Sequence, residues 1–410
     1  MDISIVSMIL VFALGYFLIA FENFFKIHKT VVALMMGAVL WIVQFSRNGM
    51  EHSQNLMELS EHLSSVSEVI LFLLGAIFIV EMIQVNGGFD CLLRFLHIRS
   101  KKALFWVVGV VSFFLSSILD NLTTTIVMVS LVQQLLEDPE DRLIFGGAVV
   151  IAANAGGAWT PIGDVTTTML WIGGRISAGI VMHSLFLPSF LCLVASLLCL
   201  TPWVRGNILQ KKRVDQKESW LALILGAGFL VFVPIFKYIT GLPPYMGMVF
   251  SAALFWYISD IQFRFPGEKV ISKMDLSGPF FFLGILLAVE ALETAEILTT
   301  FAKKLSELVP IPTLIAVLIG LFSAIIDNIP LVAASIGMYD LTEFPKDSSF
   351  WHLIAYCAGT GGSALIIGSA AGVVFMGMEK VSFFAYLRRI SFPAIVGYFV
   401  GVFVFLYLNL

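Results

Sequence analysis

The sequence predicts an all-α membrane protein made of two inverted-topology repeats of five crossings each, with one re-entrant hairpin and one broken helix per repeat. Three observations predict this fold: the composition, four interrupted apolar segments, and their recurrence in the second half. Hydrophobic residues make up 59% of 410 residues, charged residues 13%, and mean hydropathy is +0.95. Soluble domains have about 25% charged residues and avoid large exposed apolar surfaces. The composition therefore excludes a soluble enzyme and a disordered chain.

The charge balance excludes a further class of protein. The formal net charge is -4, so no basic surface is available for a phosphate backbone. We therefore expect no nucleic-acid partner, and the lipid bilayer is the expected surrounding. The cysteines are scattered, and no CxxC motif or metal-ligand spacing occurs, which favours small apolar fillers over a metal or redox cofactor.

Eight segments have the length and composition of plain membrane-spanning helices. Apolar runs of about 17–25 residues between polar stretches predict such helices. The eight are 3–21, 31–45, 68–86, 184–201, 219–238, 244–260, 277–294 and 391–408. No positive region precedes the first run and no small-residue cleavage site follows it, so we expect a retained span rather than a signal peptide.

Four further segments are apolar but interrupted. Segments 103–136 and 311–338 contain Asp-Asn pairs, which predict re-entrant hairpins, and segments 143–175 and 351–377 contain Gly-rich polar stretches, which predict broken helices. The second hairpin arm, from Asn328 to Met338, makes roughly 16 Å of helix, about half of the hydrocarbon thickness. Two ordinary spans joined by an Asp-Asn surface turn remain an alternative.

The interrupted segments occur in matching pairs at nearly constant spacing. Phe72-Leu-Leu-Gly75 and Glu81 match Phe281-Phe-Leu-Gly284 and Glu290 at 209 positions. The Asp-Asn pairs are 207 positions apart, and the Gly-Gly pairs that begin at 156 and 361 are 205 apart. The chain is therefore predicted to be a duplication, with repeats at 1–201 and 219–410 and a basic cytoplasmic linker at 202–218.

The positive charges support an inverted second repeat. If each repeat crosses five times, the loops at 22–30, 87–102, 137–142, 203–218, 259–275 and 378–390 share one side of the membrane. These loops hold 18 of the 24 Lys and Arg residues. Cytoplasmic loops carry the excess of Lys and Arg, so this side is predicted to be cytoplasmic and both termini extracytoplasmic.

The chemistry is expected where the backbone is interrupted, because unpaired backbone groups at membrane depth need a protein or water-filled environment. Inverted repeats with broken helices are typical of secondary transporters, whose site lies between the repeats. The candidate residues offer carboxylate, amide and hydroxyl oxygens, a set suited to Na⁺ or Li⁺. They are Asp120, Asn121, Thr123, Thr124, Asn154, Thr160, Asp164, Thr166, Thr167, Asp327, Asn328, Ser363 and Ser369, with Glu81 and Glu290 as supporting acids.

Structural roles compete with these assignments. Asp120 and Asp327 could cap hairpin turns, and capping is compatible with ligation. Glu81 and Glu290 could extend to the membrane surface or pair across helices. The hydroxyl groups of Thr124, Thr166 and Ser363 could bond their own helix backbone. The six histidines fall in loops or at span ends, and none is assigned to the transport path.

The interrupted segments resemble the NhaD-type sodium/proton antiporters, within a superfamily that includes arsenite and divalent-anion carriers. The matching stretches are Ser117–Thr125, Ala153–Thr167, Ile326–Pro330 and Gly359–Ser363. The resemblance runs along nearly the whole chain and implies a sodium or lithium/proton antiporter of the inner membrane, acting in pH homeostasis without a cofactor. It also implies a homodimer.

The resemblance implies two cation sites, each made by a hairpin tip and a broken helix. The first would use Asp120, Asn121, Thr123, Asn154 and Asp164, with Na⁺ held by Asp120, Asn121, Asn154 and Asp164. The second would use Asp327, Asn328, Ser363 and Ser369. In the second half, Ser369 stands where the first has Asp164, and Gly359 stands where it has Asn154, so the second site has fewer charges.

A mechanism follows from competition at a buried carboxylate. Burial favours the protonated form of a carboxyl group, so Na⁺ and H⁺ compete for the same oxygens. We expect Asp164 and Asp120 to carry this exchange, with Asp327 as the second-half counterpart, while the core rocks to face each side in turn.

Two other functions are open at this point. The first is a sodium-coupled carrier of arsenite or a dicarboxylate, although acidic hairpin tips would repel an anion. The second is an intramembrane aspartyl protease, suggested by Gly163-Asp164 and Tyr339-Asp340. Residue 161 is Pro, so the GxGD motif of such proteases is absent. A transporter without enzymatic activity is the favoured prediction.

Overall fold

A computed structural model describes residues 3–20, 25, 27–46, 52–88, 100–206, 220–262, 267–325 and 328–409. The regular elements in these ranges are helices. In the first half they are α1 (Ile3–Ala20), α2 (Lys29–Phe45), α3 (His52–Val85), α4 (Lys101–Ser116), α5 (Asn121–Leu135), α6 (Pro139–Ala158), α7 (Val165–Ile172) and α8 (Ala178–Leu200). In the second they are α9 (Trp220–Thr240), α10 (Pro244–Gln262), α11 (Gly267–Ile271), α12 (Ser277–Thr294), α13 (Ile297–Leu308), α14 (Pro312–Phe322), α15 (Asn328–Met338), α16 (Ser349–Gly361), α17 (Ala370–Glu379), α18 (Phe383–Tyr386) and α19 (Phe392–Leu408).

The chain is a multi-pass, all-α membrane protein, as predicted. Five helical segments in the described ranges are long and apolar enough to cross a membrane: Leu56–Val85, Ala178–Trp203, Trp220–Thr240, Ser277–Thr294 and Phe383–Leu408. Helices also occupy the other predicted spans, at α1, α2 and α10.

Two stretches that lie between predicted spans are helical. The first is the acidic stretch between the predicted spans 31–45 and 68–86, where α3 begins at His52 and continues without interruption to Val85. Residues 52–67 contain neither Gly nor Pro, and six of the sixteen are Leu, Met or Glu, which favour helix, so no helix-breaking residue ends the helix at the membrane surface. Another helix, α13, occupies the polar stretch between α12 and α14.

All four predicted interruptions separate helices. Residues 117–120 lie between α4 and α5, and residues 159–164 lie between α6 and α7. In the second half, α14 ends at Phe322 and α15 begins at Asn328, while residues 362–369 separate α16 from α17. Asp327 and most of the basic linker, 207–219, lie outside the described residues.

The contacts that hold each break against its neighbouring hairpin recur in the two halves. The Ser116 hydroxyl donates to the Ala153 carbonyl at 2.6 Å, and the Ser323 hydroxyl donates to the Ala358 carbonyl at 2.8 Å. Ser116 and Ser323 are 207 positions apart, and Ala153 and Ala358 are 205 apart. In both halves a serine near the hairpin tip therefore bonds a carbonyl of the adjacent broken helix.

Close backbone approach at two glycines supports the same contact. A methyl group at Gly156 would overlap with the Phe113 carbonyl, and one at Gly361 would overlap with the Gly320 carbonyl. Only glycine lets the two helix backbones approach so closely at these positions.

Helices of one half pack on helices of the other. Helix α2 packs along α12, where the Trp41 indole donates to the Leu287 carbonyl at 3.0 Å, and α10 packs along α3. Each hairpin arm also packs on the broken helix of the opposite half, α5 on α17 and α15 on α7. These contacts bring the interruptions of the two halves close together, and Asn154 near the end of α6 bonds to Ser363 and Ser369 in the break after α16.

Polar contacts fasten the ends of the two broken helices to each other. Arg142 near the start of α6 pairs with Glu379 at the end of α17, with Nε and Oε2 3.2 Å apart. After α7, the Ser177 hydroxyl donates to Asp347 Oδ2 at 2.6 Å, just before α16 begins. Each broken helix is thus fixed at its outer ends to the other.

We predict that Gly156→Ala and Gly361→Ala each lower the free energy of unfolding by about 1–3 kcal/mol or more, because the added methyl group overpacks a backbone contact. Gly228→Ala is the matched control: it lies in α9 with nothing within 4 Å of the added carbon. It should leave stability unchanged or raise it by about 0.5–1 kcal/mol. Chemical unfolding in detergent micelles measures all three, and equal effects would contradict the packing argument.

We predict that Arg142→Gln lowers the free energy of unfolding by about 1–3 kcal/mol, because it leaves a carboxylate without its cation. The Glu379 side chain is only 6% exposed, so water compensates little. Adding Glu379→Gln should recover part of the loss. A double-mutant cycle in the same unfolding assay measures this, and additive losses would refute the coupling.

Candidate functional site

Asp164 lies at the N-terminal end of α7, where the first broken helix resumes. Its Oδ1 accepts a hydrogen bond from the Thr166 backbone N–H at 3.1 Å, so it caps the helix. The residue is 1% exposed. A short polar side chain at this position satisfies a backbone donor that the break leaves unpaired. The same position places a carboxylate inside the protein.

Asparagine amides from both hairpins surround the other oxygen of this carboxylate. Asn121 Nδ2 lies 3.3 Å from Asp164 Oδ2, and Asn328 Nδ2 lies 3.5 Å from the same oxygen. Both asparagines are buried and begin the second arm of their hairpins. The sequence predicted each of these residues as a ligand but assigned them to two different sites. The structure brings them to one carboxylate.

Asn154 joins the two halves of the cluster. Its Oδ1 accepts from Asn121 Nδ2 at 3.1 Å, and its Nδ2 donates to the hydroxyl groups of Ser363 and Ser369, both at 2.9 Å. Asn154 is fully buried, and the two serines are 2% and 1% exposed. The residues expected to form a first-half and a second-half site are therefore linked in one hydrogen-bond network, because one amide bonds to both sets.

Asp164 orients this chain of amides. Its Oδ2 accepts from Asn121, so Asn121 turns its NH₂ group toward Asp164, as an ionised carboxylate, which only accepts hydrogen bonds, would require. The same NH₂ group also faces Asn154, which must therefore present its oxygen to Asn121 and its own NH₂ group to the serines. The oxygen and the NH₂ group of a side-chain amide have nearly the same shape, so the hydrogen-bond network assigns which of them faces which partner.

Asp120 lies at the first hairpin tip and caps α5. Its Oδ1 accepts from the Thr123 backbone N–H and its Oδ2 from the Thr123 hydroxyl, both at 2.7 Å. The Thr160 hydroxyl donates to the Ser117 carbonyl at 2.7 Å and so ties the break to the hairpin tip. The capping alternative is therefore correct for Asp120, and Thr123 and Thr160 support the backbone around the cluster.

Two buried threonine hydroxyls have no hydrogen-bond partner among the residues that the structure describes. These are Thr124 on α5 and Thr166 on α7, both fully buried. The alternative that they bond their own helix backbone is thus not observed. A buried hydroxyl without a partner is costly, and a cation that its lone pairs coordinate, or a water that hydrogen-bonds to it, would remove that cost. Thr167, in contrast, donates to the Ala158 carbonyl at 3.3 Å.

The supporting acids have different surroundings. Glu290 on α12 pairs with His62 Nδ1 on α3, and His62 Nε2 lies 3.1 Å from the Thr294 hydroxyl. Pairing across helices is therefore correct for Glu290. The expectation that His62 lies in a loop is wrong, because α3 extends past it. Glu81 is partly exposed on the same helix.

Glu293 is an acid that the sequence reasoning missed. It follows Glu290 by three positions on α12, and this spacing places both on one helix face. It lines a cavity of about 720 Å³ together with Arg175 and Asp340. Asp340 is exposed, and hydrogen bonds from the Thr342 side chain and the backbone of Glu343 and Thr342 lower its pKa. An exposed carboxyl group held in a turn is unlike the buried acid pair of an intramembrane protease.

The arrangement as a whole is a buried, oxygen-rich cluster with a single described carboxylate at its centre. Amides and hydroxyls surround that carboxylate, and the cluster residues placed by the structure include no Lys, Arg or His. Such a cluster can bind a small hard cation or a proton, and it disfavours an anion. The part of the predicted second site that depends on Asp327 falls outside the described residues.

We predict that Asn154→Ala lowers the free energy of unfolding by about 1–3 kcal/mol, more than either Ser363→Ala or Ser369→Ala, because it leaves several buried groups without their partner. Chemical unfolding in detergent micelles gives the rank order. Equal losses for all three variants would mean that Asn154 is not the residue that joins the two halves.

Comparison with known proteins identifies a family of membrane carriers. A family model described as "Citrate transporter" (CitMHS) matches residues 16–348. The chain is 50% identical over 97% of its length to "Sodium/proton antiporter 1" of Arabidopsis thaliana, of which it covers 71%. It is 47% identical to "Sodium/proton antiporter 2" of the same plant, over 97% of the chain and 98% of that protein.

A bacterial relative also matches nearly the whole chain. The "Na(+)/H(+) antiporter NhaD" of Vibrio cholerae is 30% identical over 98% of this chain and 91% of its own length. The match to the family model and these identities together establish the relationship. The chain belongs to the citrate transporter family of membrane carriers and, within it, to the NhaD-type sodium/proton antiporters.

Proposed function

We propose that this chain exchanges Na⁺ for H⁺ across a membrane, with Asp164 as the residue that binds each ion in turn. The observation that carries the proposal is the buried Asp164 carboxylate at a helix break, surrounded by neutral oxygen-bearing side chains. The names of its relatives agree: each of the three compared above is called a sodium/proton antiporter.

Exchange follows from the chemistry of that carboxylate. A proton and a Na⁺ ion neutralise the same negative charge, so binding of one excludes the other. Asn121 and Asn328 approach Oδ2 only at 3.3 and 3.5 Å, and such long hydrogen bonds are weak. An incoming cation can therefore take the carboxylate oxygen while the amides turn their oxygens to the ion. The hydroxyl groups of Thr124 and Thr166 offer further oxygens.

Transport also requires that the carboxylate face each side of the membrane in turn. We propose that 1–201 and 219–410 are inverted repeats, with re-entrant hairpins at the Asp-Asn segments and 202–218 as a cytoplasmic linker. The contacts that recur at spacings of 205 and 207 positions support this arrangement, as does the excess of basic residues on one side. The broken helices and hairpins would then move as one body against α1–α3 and α9–α12.

The finer assignments complete the proposal. Asp120, Thr123 and Thr160 hold the hairpin tip in place, and Asp327 is the second-half counterpart of Asp120. Glu81 on α3 and Glu290 on α12 are proposed as supporting acids on the surrounding helices. Li⁺ is an alternative ion, the inner membrane is the proposed location with both termini extracytoplasmic, and the proposed assembly is a homodimer.

An anion carrier of the same fold is the second candidate, since the family model carries the description of a citrate transporter. Citrate would need cationic groups or bound cations beside it. The described cluster has a carboxylate at its centre and no basic side chain, so the geometry favours a cation. Na⁺-driven pH change in vesicles without any organic anion supports antiport, and a strict requirement for citrate would support the carrier.

We predict that Asp164→Asn abolishes Na⁺-driven proton movement in everted vesicles, because asparagine neither ionises nor releases a proton. Glu268→Gln is the matched control: it neutralises an exposed carboxylate on α11 and should retain full activity. A fluorescent pH probe measures both variants at equal protein levels. Full Na⁺-dependent proton movement in Asp164→Asn would refute the proposed role.

A further inference from the structure

A cavity lies where two half-helices that start at the buried cluster come to an end. Helix α7 follows Asp164, and α15 begins at Asn328, whose amide lies 3.5 Å from the Asp164 carboxylate. Their far ends also meet, because Arg175 Nη2 donates to the Ile336 carbonyl at 3.2 Å. Arg175 and residues 336–338 line the cavity of about 720 Å³. Since Ile336 follows Asn328 by eight residues, the cavity begins roughly 12 Å along α15 from the cluster.

The cavity lies between helices that the proposed exchange requires to move against each other. Glu293 is the penultimate residue of α12, and this helix packs on α15. A methyl carbon at Gly337 would lie 2.9 Å from Glu293 Oε2, so the carboxylate reaches the backbone of α15. A path between water and Asp164 would open along this boundary of α12 and α15.

Acids outnumber bases among the described residues that line the cavity. The charged lining residues are Glu293, Glu307, Asp340, Glu343, Arg175 and Lys303, four carboxylates against two cations. All of them are exposed except Glu293 and Arg175, which are partly buried, so the mouth of the cavity meets water and these two residues lie at its inner wall. A cleft with a predominance of one sign concentrates ions of the opposite sign. The excess of carboxylates therefore favours the entry of a cation.

The positive charge of Arg175 at the inner wall is bonded within the protein. Besides donating to the Ile336 carbonyl, its guanidinium lies 5.2 Å from the centre of the Trp351 ring. A cation at the C-terminal end of a helix is stabilised by the carbonyls that are left there. Arg175 thus stabilises the ends of α7 and α15, and Glu293 is the acid that lies beside it at the inner wall.

We propose that this cavity is the vestibule through which cations pass between the extracytoplasmic water and Asp164, and that Glu293 attracts them to its inner end. The inference rests on the proposed function and the proposed topology, and it adds the route of the ion and a residue that discriminates against anions. Selection by charge then begins at the inner wall of the vestibule, before the ion reaches the buried cluster.

A thiol introduced at the inner wall tests the route. Ile336→Cys leaves the main-chain carbonyl in place for Arg175. A membrane-impermeant cationic reagent, trimethylammonium-ethyl methanethiosulfonate, should inhibit Na⁺-driven proton movement by this variant when it is added to right-side-out vesicles. The same reagent should leave the variant active when it is added to everted vesicles. The wild type, treated in the same way, should stay active in both.

The charge of the reagent tests the role of Glu293. The cationic reagent and its anionic sulfonatoethyl analogue are compared at the same thiol, so the ratio of their rates cancels any change in thiol reactivity. Residual labelling by a fluorescent maleimide measures each rate. The preference for the cation should be higher for Ile336→Cys than for the control Tyr238→Cys, which is 90% exposed on α9 and does not line the cavity. Adding Glu293→Gln should lower the preference at Ile336→Cys by roughly threefold or more and leave Tyr238→Cys unchanged.

The outcomes separate the inference from the function beneath it. Exchange that persists after modification of Ile336→Cys, inhibition only in everted vesicles, or a preference that Glu293→Gln does not alter would overturn the inference and leave antiport intact. A wild type without Na⁺-driven proton movement would overturn the proposed function. Where Glu293→Gln does not fold, an equal preference at Ile336→Cys and Tyr238→Cys would still overturn the inference.

Discussion

The buried carboxyl group of Asp164 is the constraint on which the central structure depends. An acidic side chain inside a membrane protein is costly and persists where a function or a set of partners retains it. The partners of Asp164 include a backbone N–H at Oδ1 and two amides at Oδ2. Because Oδ2 accepts from Asn121, the NH₂ group of Asn121 faces Asp164 and also donates to the Asn154 oxygen. Asn154 then presents its own NH₂ group to the serines of the other half.

The packing around this charge explains why the helices break where they do. A continuous helix would bury its own backbone groups in internal hydrogen bonds and offer none to a site. The breaks expose such groups, and side chains bond some of them, as Thr167 does at the Ala158 carbonyl and Tyr386 at the Ser363 carbonyl. Ser116 and Ser323 also bond the hairpins to the adjacent broken helices. Gly156 and Gly361 allow this close packing, since any side chain there would separate the hairpins from the broken helices. The close packing of the hairpins on the broken helices therefore also builds the cluster of polar side chains.

The two halves share a framework but differ in chemistry. Equivalent serines and glycines hold both breaks, whereas the residue before the resumed helix is Asp164 in one half and Ser369 in the other. The first residue carries a carboxyl group, and the second carries a hydroxyl group, and each caps the helix that follows it. The two halves therefore share packing contacts at these breaks while the side chains beside the breaks differ in chemistry.

The sequence predicted the helical membrane fold, nearly every span and all four interruptions, because span length, apolar composition and Gly or Asp-Asn interruptions are local properties of the chain. It also predicted, as candidate ion ligands, the polar residues that form the buried cluster, since polar side chains deep within apolar segments are rare. It missed the helical extension of α3 and the contact of His62 with Glu290, because polar composition does not distinguish an exposed helix from a loop.

Only the tertiary structure determined which candidate contacts which. Asn154 lies 209 and 215 positions from the serines that it bonds, and no local pattern encodes such a pairing. It arises because helices of one half pack on those of the other and bring the interruptions of the two halves close together. The sequence by itself therefore specified the polar groups inside the membrane. Long-range packing decided that the described groups form one connected hydrogen-bond network around Asp164.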